Sequence, residues 1–205
     1  MAEGPAAKRP PHWMLLLSAK GVCSSVSISR RHLIGASLAL APAPFATQAG
    51  AAQAAAGPER LREALRPLPP ITFTTADGTG RSPADFPNKG MVINLWATWC
   101  PPCVAEMPAL DRLAALLAAE NVEVLPLSSD RAGRAPVEAF YARTNIRNLA
   151  VWLDPRGAAA RALGVRGLPT TIIVNRQGVE CARLEGDAAW DAPPMLAALR
   201  RLISP

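Results

Sequence analysis

The chain has 205 residues, half of them hydrophobic and 19% charged, which excludes wholesale disorder and leaves room for one packed domain plus an appendage. Its formal charge of +6 is concentrated at the front: residues 1–49 hold five basic side chains and one acid, and the other 17 basic and 15 acidic side chains nearly balance. No basic stripe survives that division, which argues against nucleic acid as a partner, and four cysteines are too few for a disulfide scaffold.

Residues 1–49 have the layout of a twin-arginine export signal. Ser29-Arg30-Arg31 precedes a mildly apolar run, Leu33 to Phe45, and small residues follow from Ala46 to Ala56. The run is too short for a membrane span and is interrupted by Pro42 and Pro44. The pattern predicts a periplasmic protein whose mature form starts between about Ala46 and Gly57, with membrane contact only if the signal stays uncleaved. Translation from Met14 would give a more ordinary signal length, leaving residues 1–13 untranslated, and Cys23 would depart with the signal.

Residues 50–67 read as a linker with a short helix between Pro58 and Pro67. From there, "ITFTT" and the "ADGTG" turn suggest an early β element. "MVINLWA" is a buried central strand, and "VEVLPLSSD" a second one. Between them, Val104, Met107, Leu110, Leu113 and Leu117 recur at helical spacing, with Pro108 expected to kink the helix. "APVEAFYARTN" is a helix, "AVWLD" a short strand, and "PRGAAARALGV" a helix ending at Gly164. "LPTTIIVN", "NRQG" and "VECARLEG" form a hairpin, and "DAPPMLAALRRLIS" closes the chain as a helix. Strands alternating with helices, plus a terminal hairpin, define an α/β domain with a mixed sheet.

The chemistry concentrates in "NLWATWCPPC", Asn94 to Cys103. Strand, Cys-x-x-Cys and helix in that order place both sulfurs at a helix start, where free amides and the dipole favour a thiolate. Cys100 is expected at the exposed tip as the attacking nucleophile, and Cys103, one turn on, as the buried resolver. Pro101 and Pro102 offer no N–H and no positive charge to the thiolate, which points to a reducing or intermediate potential. A zinc clip would need four ligands, and beyond the pair the mature chain offers only Cys181 and no histidine. A permanent staple would close a loop too short to constrain much of the unfolded chain. Glu106, three residues past Cys103, shares its helix face, and two readings stand: a proton acceptor for Cys103, or an acid serving the helix dipole.

"GMVINLWATWCPPCVAEMPALDRL" together with "RGLPTTIIVNRQGVECARLEG" resembles the TlpA/ResA-like branch of the thioredoxin superfamily over roughly residues 68–190. The resemblance implies a thioredoxin-like domain over residues 68–205: a central mixed β-sheet flanked by helices, with an additional N-terminal β element and a central αβ insertion. It implies a cis peptide bond at Pro169, beside the cysteine pair, and a backbone at Leu168 that pairs with an incoming substrate strand. Trp99 and Pro101 fall at substrate-contacting positions of the motif, whereas Trp96 reads mainly as core. Asn94 stands where ordinary thioredoxins carry a buried acid, so proton transfer falls to Glu106, which matches a glutamate of the ResA-like proteins. The implied activity is that of an exported thiol:disulfide oxidoreductase, without cofactor or metal, monomeric, reducing disulfides of client proteins with electrons from a membrane-embedded thiol donor. The branch that matures cytochrome c carries Pro-Glu-Thr where this chain reads Pro169-Thr170-Thr171, so the resemblance leaves the client open. Cys181 reads as a buried, inert small hydrophobe.

The competing reading from another class is copper delivery through the same cysteine pair, which a copper titration of the reduced protein would separate from exchange. A thiol peroxidase would need a different setting for its cysteine than "WCPPC".

Overall fold

The computed structural model describes residues 57–204, so the stretch expected to be an export signal lies outside the described residues. Within these residues eight strands form one sheet: β1 (Arg62–Pro67), β2 (Phe73–Thr75), β3 (Gly80–Arg81), β4 (Gly90–Trp96), β5 (Val122–Ser128), β6 (Trp152–Leu153), β7 (Thr170–Val174) and β8 (Val179–Glu185). Among the described residues four helices accompany them: α1 (Pro101–Leu117), α2 (Arg134–Thr144), α3 (Ala158–Ala162) and α4 (Pro193–Ile203). The strand order is β1-β8-β7-β4-β5-β6-β2-β3, with β4, β5 and β6 parallel and the remaining pairings antiparallel. The mixed sheet expected from sequence is present, the β2–β3 hairpin forms the early β element, and α2, β6 and α3 fill the stretch between β5 and β7.

All seven residues of β4 are buried, which explains its unbroken apolar pattern: both faces are covered. Val92 and Trp96 point into one core with Met107, Leu110 and Leu113 of α1, Phe140 of α2 and Leu199 of α4. Met91, Ile93 and Leu95 point into the other, with Phe73, Trp152, Ala159 and Leu163. The strand period of two therefore puts Asn94 on the α1 side, between Val92 and Trp96. The ring of Trp96 lies stacked on Tyr141 and beside Phe140, as expected of a core residue.

The short helix expected between Pro58 and Pro67 is replaced by one 3-10 turn, Pro58–Arg60, followed by β1. Pairing along β8 overrides the local helical pattern: Arg62 stands opposite Arg183 and Pro67 opposite Val179. Arg66 grips Glu180 of β8 through two bonds of 2.9 Å, and Arg183 holds the same carboxylate from its other side. The domain thus begins ahead of residue 68, and 62–67 are part of its sheet. Helix α1 runs continuously through Pro108.

Candidate active site

Cys100 is the N-cap of α1 and Cys103 lies in its first turn. Their Cα atoms are 5.3 Å apart and their sulfurs form a disulfide. The Cys103 amide donates to Cys100 Sγ at 3.4 Å. Pro101 and Pro102 occupy the two positions between, so this amide is the one backbone donor that the turn itself offers the sulfur. Cys100 does not stand exposed at a tip, as the sequence suggested. It is 5% exposed against 0% for Cys103, and its amide donates to the Ala97 carbonyl at 3.2 Å, closing the loop from Ala97 to Trp99 that leads into the helix. Accessibility still favours Cys100, and the neighbouring Trp99, 67% exposed, marks the opening.

That loop is held by a residue the sequence reading passed over. Asp130, just beyond β5, is buried; its Oδ2 accepts the Thr98 amide at 2.9 Å and the Ser128 hydroxyl at 2.7 Å, and its Oδ1 accepts the Thr98 hydroxyl at 2.6 Å. A "Ser-Ser-Asp" ending a predicted strand was the available signal, since such a carboxylate often caps local backbone.

Glu106 sits on the inner face of α1, past the first turn and 3% exposed, so it does not serve the helix start. Its Oε1 accepts Asn94 Nδ2 at 2.9 Å, and its Oε2 accepts the Ala188 amide at 3.1 Å and Trp190 Nε1 at 2.6 Å. Asn94 Nδ2 also donates to Thr171 Oγ1 at 2.9 Å, tying β4, α1 and β7 together. Burial pushes the Glu106 carboxyl up to about 7; the bonds from Trp190, Asn94 and Ala188 oppose this by favouring the ionised form, and nearby Asp187 adds to the rise. Trp190 and the Ala188 amide were not legible as partners, because the loop carrying them is 82 residues or more along the chain.

The Leu168–Pro169 peptide bond is cis. Pro169 is buried, its carbonyl accepts the Gly186 amide at 2.9 Å, and Thr170 Oγ1 donates to the Gly167 carbonyl at 2.7 Å. Leu168 and Trp99 line one groove of about 820 Å³, so two of the expected contact positions meet on one surface. Pro101 is exposed at the start of α1. Cys181 is the free cysteine among the described residues; it is buried, its Sγ donates to the Ile173 carbonyl at 3.3 Å, and burial raises its pKa.

Comparison with known proteins gives the same answer from another direction. Residues 63–199 match the Redoxin family. The thiol-disulfide oxidoreductase ResA of Bacillus thuringiensis subsp. konkukian (strain 97-27) is 29% identical over 129 residues, covering 63% of this chain and 73% of that one. The ResA of Geobacillus thermodenitrificans (strain NG80-2) is 29% identical over 110 residues, 54% of this chain and 62% of that one. Among solved structures, a thiol:disulfide interchange protein DsbE from Chlorobium tepidum aligns with a TM-score of 0.58 at 24% identity, over 67% of this chain and 98% of that chain. A secreted Mycobacterium tuberculosis disulfide oxidoreductase homologous to E. coli DsbE aligns with a TM-score of 0.54 at 25% identity, over 64% and 96% respectively. With a thioredoxin-like sheet, a Cys-x-x-Cys disulfide at a helix start and these relatives, the chain belongs to the Redoxin family and is a disulfide oxidoreductase of the TlpA/ResA-like kind.

Proposed function

We propose that this enzyme reduces disulfides of client proteins outside the cytoplasm, through Cys100 and Cys103. The observation that carries the reading is the disulfide itself, with Cys100 capping α1 beside exposed Trp99 and Cys103 fully buried one turn inward. In the dithiol form, the Cys100 thiolate attacks one sulfur of the client disulfide. That S–S bond breaks, a mixed disulfide forms, and the client's other sulfur leaves as a thiolate and takes up a proton. Cys103 then loses its proton and attacks Cys100 Sγ, expelling the second client sulfur. Two electrons have passed to the client, and the enzyme is left as the disulfide seen here.

Glu106 is the proton acceptor for Cys103 in this scheme. It lies three residues further along the same helix face, and a carboxyl near 7 can hold or release a proton at neutral pH. Leu168, next to the cis Pro169, presents its backbone to the client strand, with Trp99 and Pro101 flanking it. Outside the cytoplasm such a reductant needs a supply of electrons, for which a membrane-embedded thiol donor is the fitting partner. The twin-arginine pattern at Arg30-Arg31 supports delivery to the periplasm. The names of the relatives favour exchange over copper delivery.

The test is a Cys103→Ser variant expressed in cells. Client proteins should accumulate as mixed disulfides on Cys100, released by a reductant and identified by mass. If none form while Cys100 stays free, the reductase reading fails. Replacing Arg30 and Arg31 by Lys should abolish export; undiminished export would overturn the twin-arginine assignment.

A further inference from the structure

The groove that holds Trp99 and Leu168 is lined by four arginines, Arg131, Arg156, Arg161 and Arg166, and by no acidic residue. They come from separate places: Arg131 follows β5, Arg156 and Arg161 flank the turn into α3 and its last residues, and Arg166 lies on the loop leading to Pro169. All four are exposed. Elsewhere on the described surface, Arg66, Arg112, Arg200 and Arg201 are each held by a carboxylate. None of the groove arginines has such a partner among the described residues; Arg161 Nη1 instead donates to the Arg156 carbonyl at 2.6 Å.

Two carboxylates lie beneath this surface and count against its charge. Asp130 is committed to Thr98 and Ser128, and Asp154 accepts the Ala158 and Ala160 amides at 2.7 and 3.0 Å; both are nearly fully buried. They face inward, while four guanidinium groups face outward around the position where a client would cross. A guanidinium with free donors is best satisfied by a carboxylate, which it can grip with two parallel bonds.

We propose that this groove selects clients by charge: it takes a polypeptide whose segment beside the reacting disulfide is rich in Asp and Glu. The inference rests on the reading of Cys100–Cys103 as a protein-disulfide reductant, and adds to it the chemical class of the client. Trp99 and Leu168 give contact to the strand carrying the disulfide, and the arginines hold its acidic flank, so a neutral or basic segment forfeits those bonds or meets like charge.

The experiment uses the reduced protein and three cyclic peptides, each closed by one disulfide and flanked by Asp and Glu, by Ser and Gln, or by Lys and Arg. Peptide reduction is followed by mass, with hydroxyethyl disulfide as an uncharged small substrate. The acidic peptide should be reduced about tenfold faster than the neutral one at about 20 mM salt, and the basic one more slowly still. The ratio should shrink to about twofold or less near 0.5 M salt, where the screening length falls to a few ångströms. Replacing all four arginines by Gln should bring the acidic-to-neutral ratio close to unity. If that variant does not fold, the salt titration of the unaltered protein and the single Arg131→Gln and Arg166→Gln variants decide the matter. Equal reduction of all three peptides would overturn the proposal and leave the reductase reading intact. Failure to reduce even hydroxyethyl disulfide would overturn both. Absence of peptide discrimination, combined with arginine-dependent binding to phosphatidylglycerol vesicles, would assign the groove to a membrane surface and overturn the proposal.

Discussion

The indole N–H of Trp190 donates to Oε2 of Glu106 across 2.6 Å, joining residues 84 positions apart in a buried site. A buried carboxylate without donors would stay protonated through most of the physiological range. Here the indole, one backbone amide and one side-chain amide hold that tendency in check, leaving the carboxyl poised near 7.

Trp190→Phe keeps most of the apolar contact and removes that donor. The cost to the oxidised protein should be about 1–3 kcal/mol at pH 8, where the carboxylate is ionised, and smaller at pH 5. Chemical denaturation at both pH values measures it. An equal loss at the two would mean that the indole serves packing rather than the charge.

Glu106 also imposes a pH slope on stability. Its carboxyl is raised from 4.5 to about 7 in the folded protein, so between those values the folded state binds more protons than the unfolded one. Stability contributed by this group is therefore complete below about pH 4.5 and is lost as pH rises through about 7, a loss of about 3 kcal/mol. Glu106→Gln should flatten that portion of the curve. The amide can be accommodated because Asn94 Oδ1 has no partner among the described residues: turning the Asn94 side chain over would offer that oxygen to the new N–H. The difference in unfolding free energy between the two proteins, followed from pH 4 to 8, checks the sign. A flat difference would place the carboxyl near its ordinary value.

Thiol chemistry gives a third outcome. In the reduced protein Cys100 should be alkylated before Cys103 under limiting reagent, since only the former has any solvent exposure even in the disulfide form. Glu106→Gln should leave the Cys100 rate at saturating pH unchanged within about twofold and shift the pH profile of resolution by Cys103. Peptide mapping by mass separates the two sites; first modification at Cys103 would reverse the assignment.

The redox potential should fall nearer to thioredoxin, roughly −270 mV, than to the strong oxidant DsbA at about −120 mV. Low thiolate pKa is what makes a dithiol oxidising, and here one amide faces Cys100 Sγ while Pro101 and Pro102 supply none. Pro102→His adds a donor and a cationic neighbour and should raise the potential by roughly 30 mV or more. Equilibration against glutathione buffers, read by mass, measures both values. A potential near that of the oxidant would remove the reductase reading.

What the sequence revealed follows from how local each signal is. The central strand, the helix after the cysteines and the terminal hairpin are legible because burial writes its period directly into Met91–Trp96, Val104–Leu117 and Ile172–Leu184. The cysteine pair was legible because its spacing and its helix start lie within four residues. β1 was misread because "PERLREALRP" carries a helical pattern whose competitor, the edge of β8, is more than 100 residues away. The Glu106 clasp and the arginine groove were illegible for a related reason. Their members are scattered over α1, β4 and the loop before α4, or over three loops and α3, and only the fold gathers them. The near-balance of charge in the body of the chain conceals a local excess of arginine.

The strand β1 has a practical consequence for anyone preparing this protein. It is the border strand of the sheet, exposed along its length, and it covers β8. Glu63, Ala64 and Leu65 of β1 share one depression with Cys181. A protein trimmed to residues 68–205, as the sequence pattern invites, would leave the hydrogen-bonding edge of β8 bare and open to strand pairing with a second molecule. It would also bring Cys181 toward solvent. In air such a preparation should drift into disulfide-linked dimers and then precipitate, whereas one beginning at or before Gly57 keeps both the edge and the thiol covered.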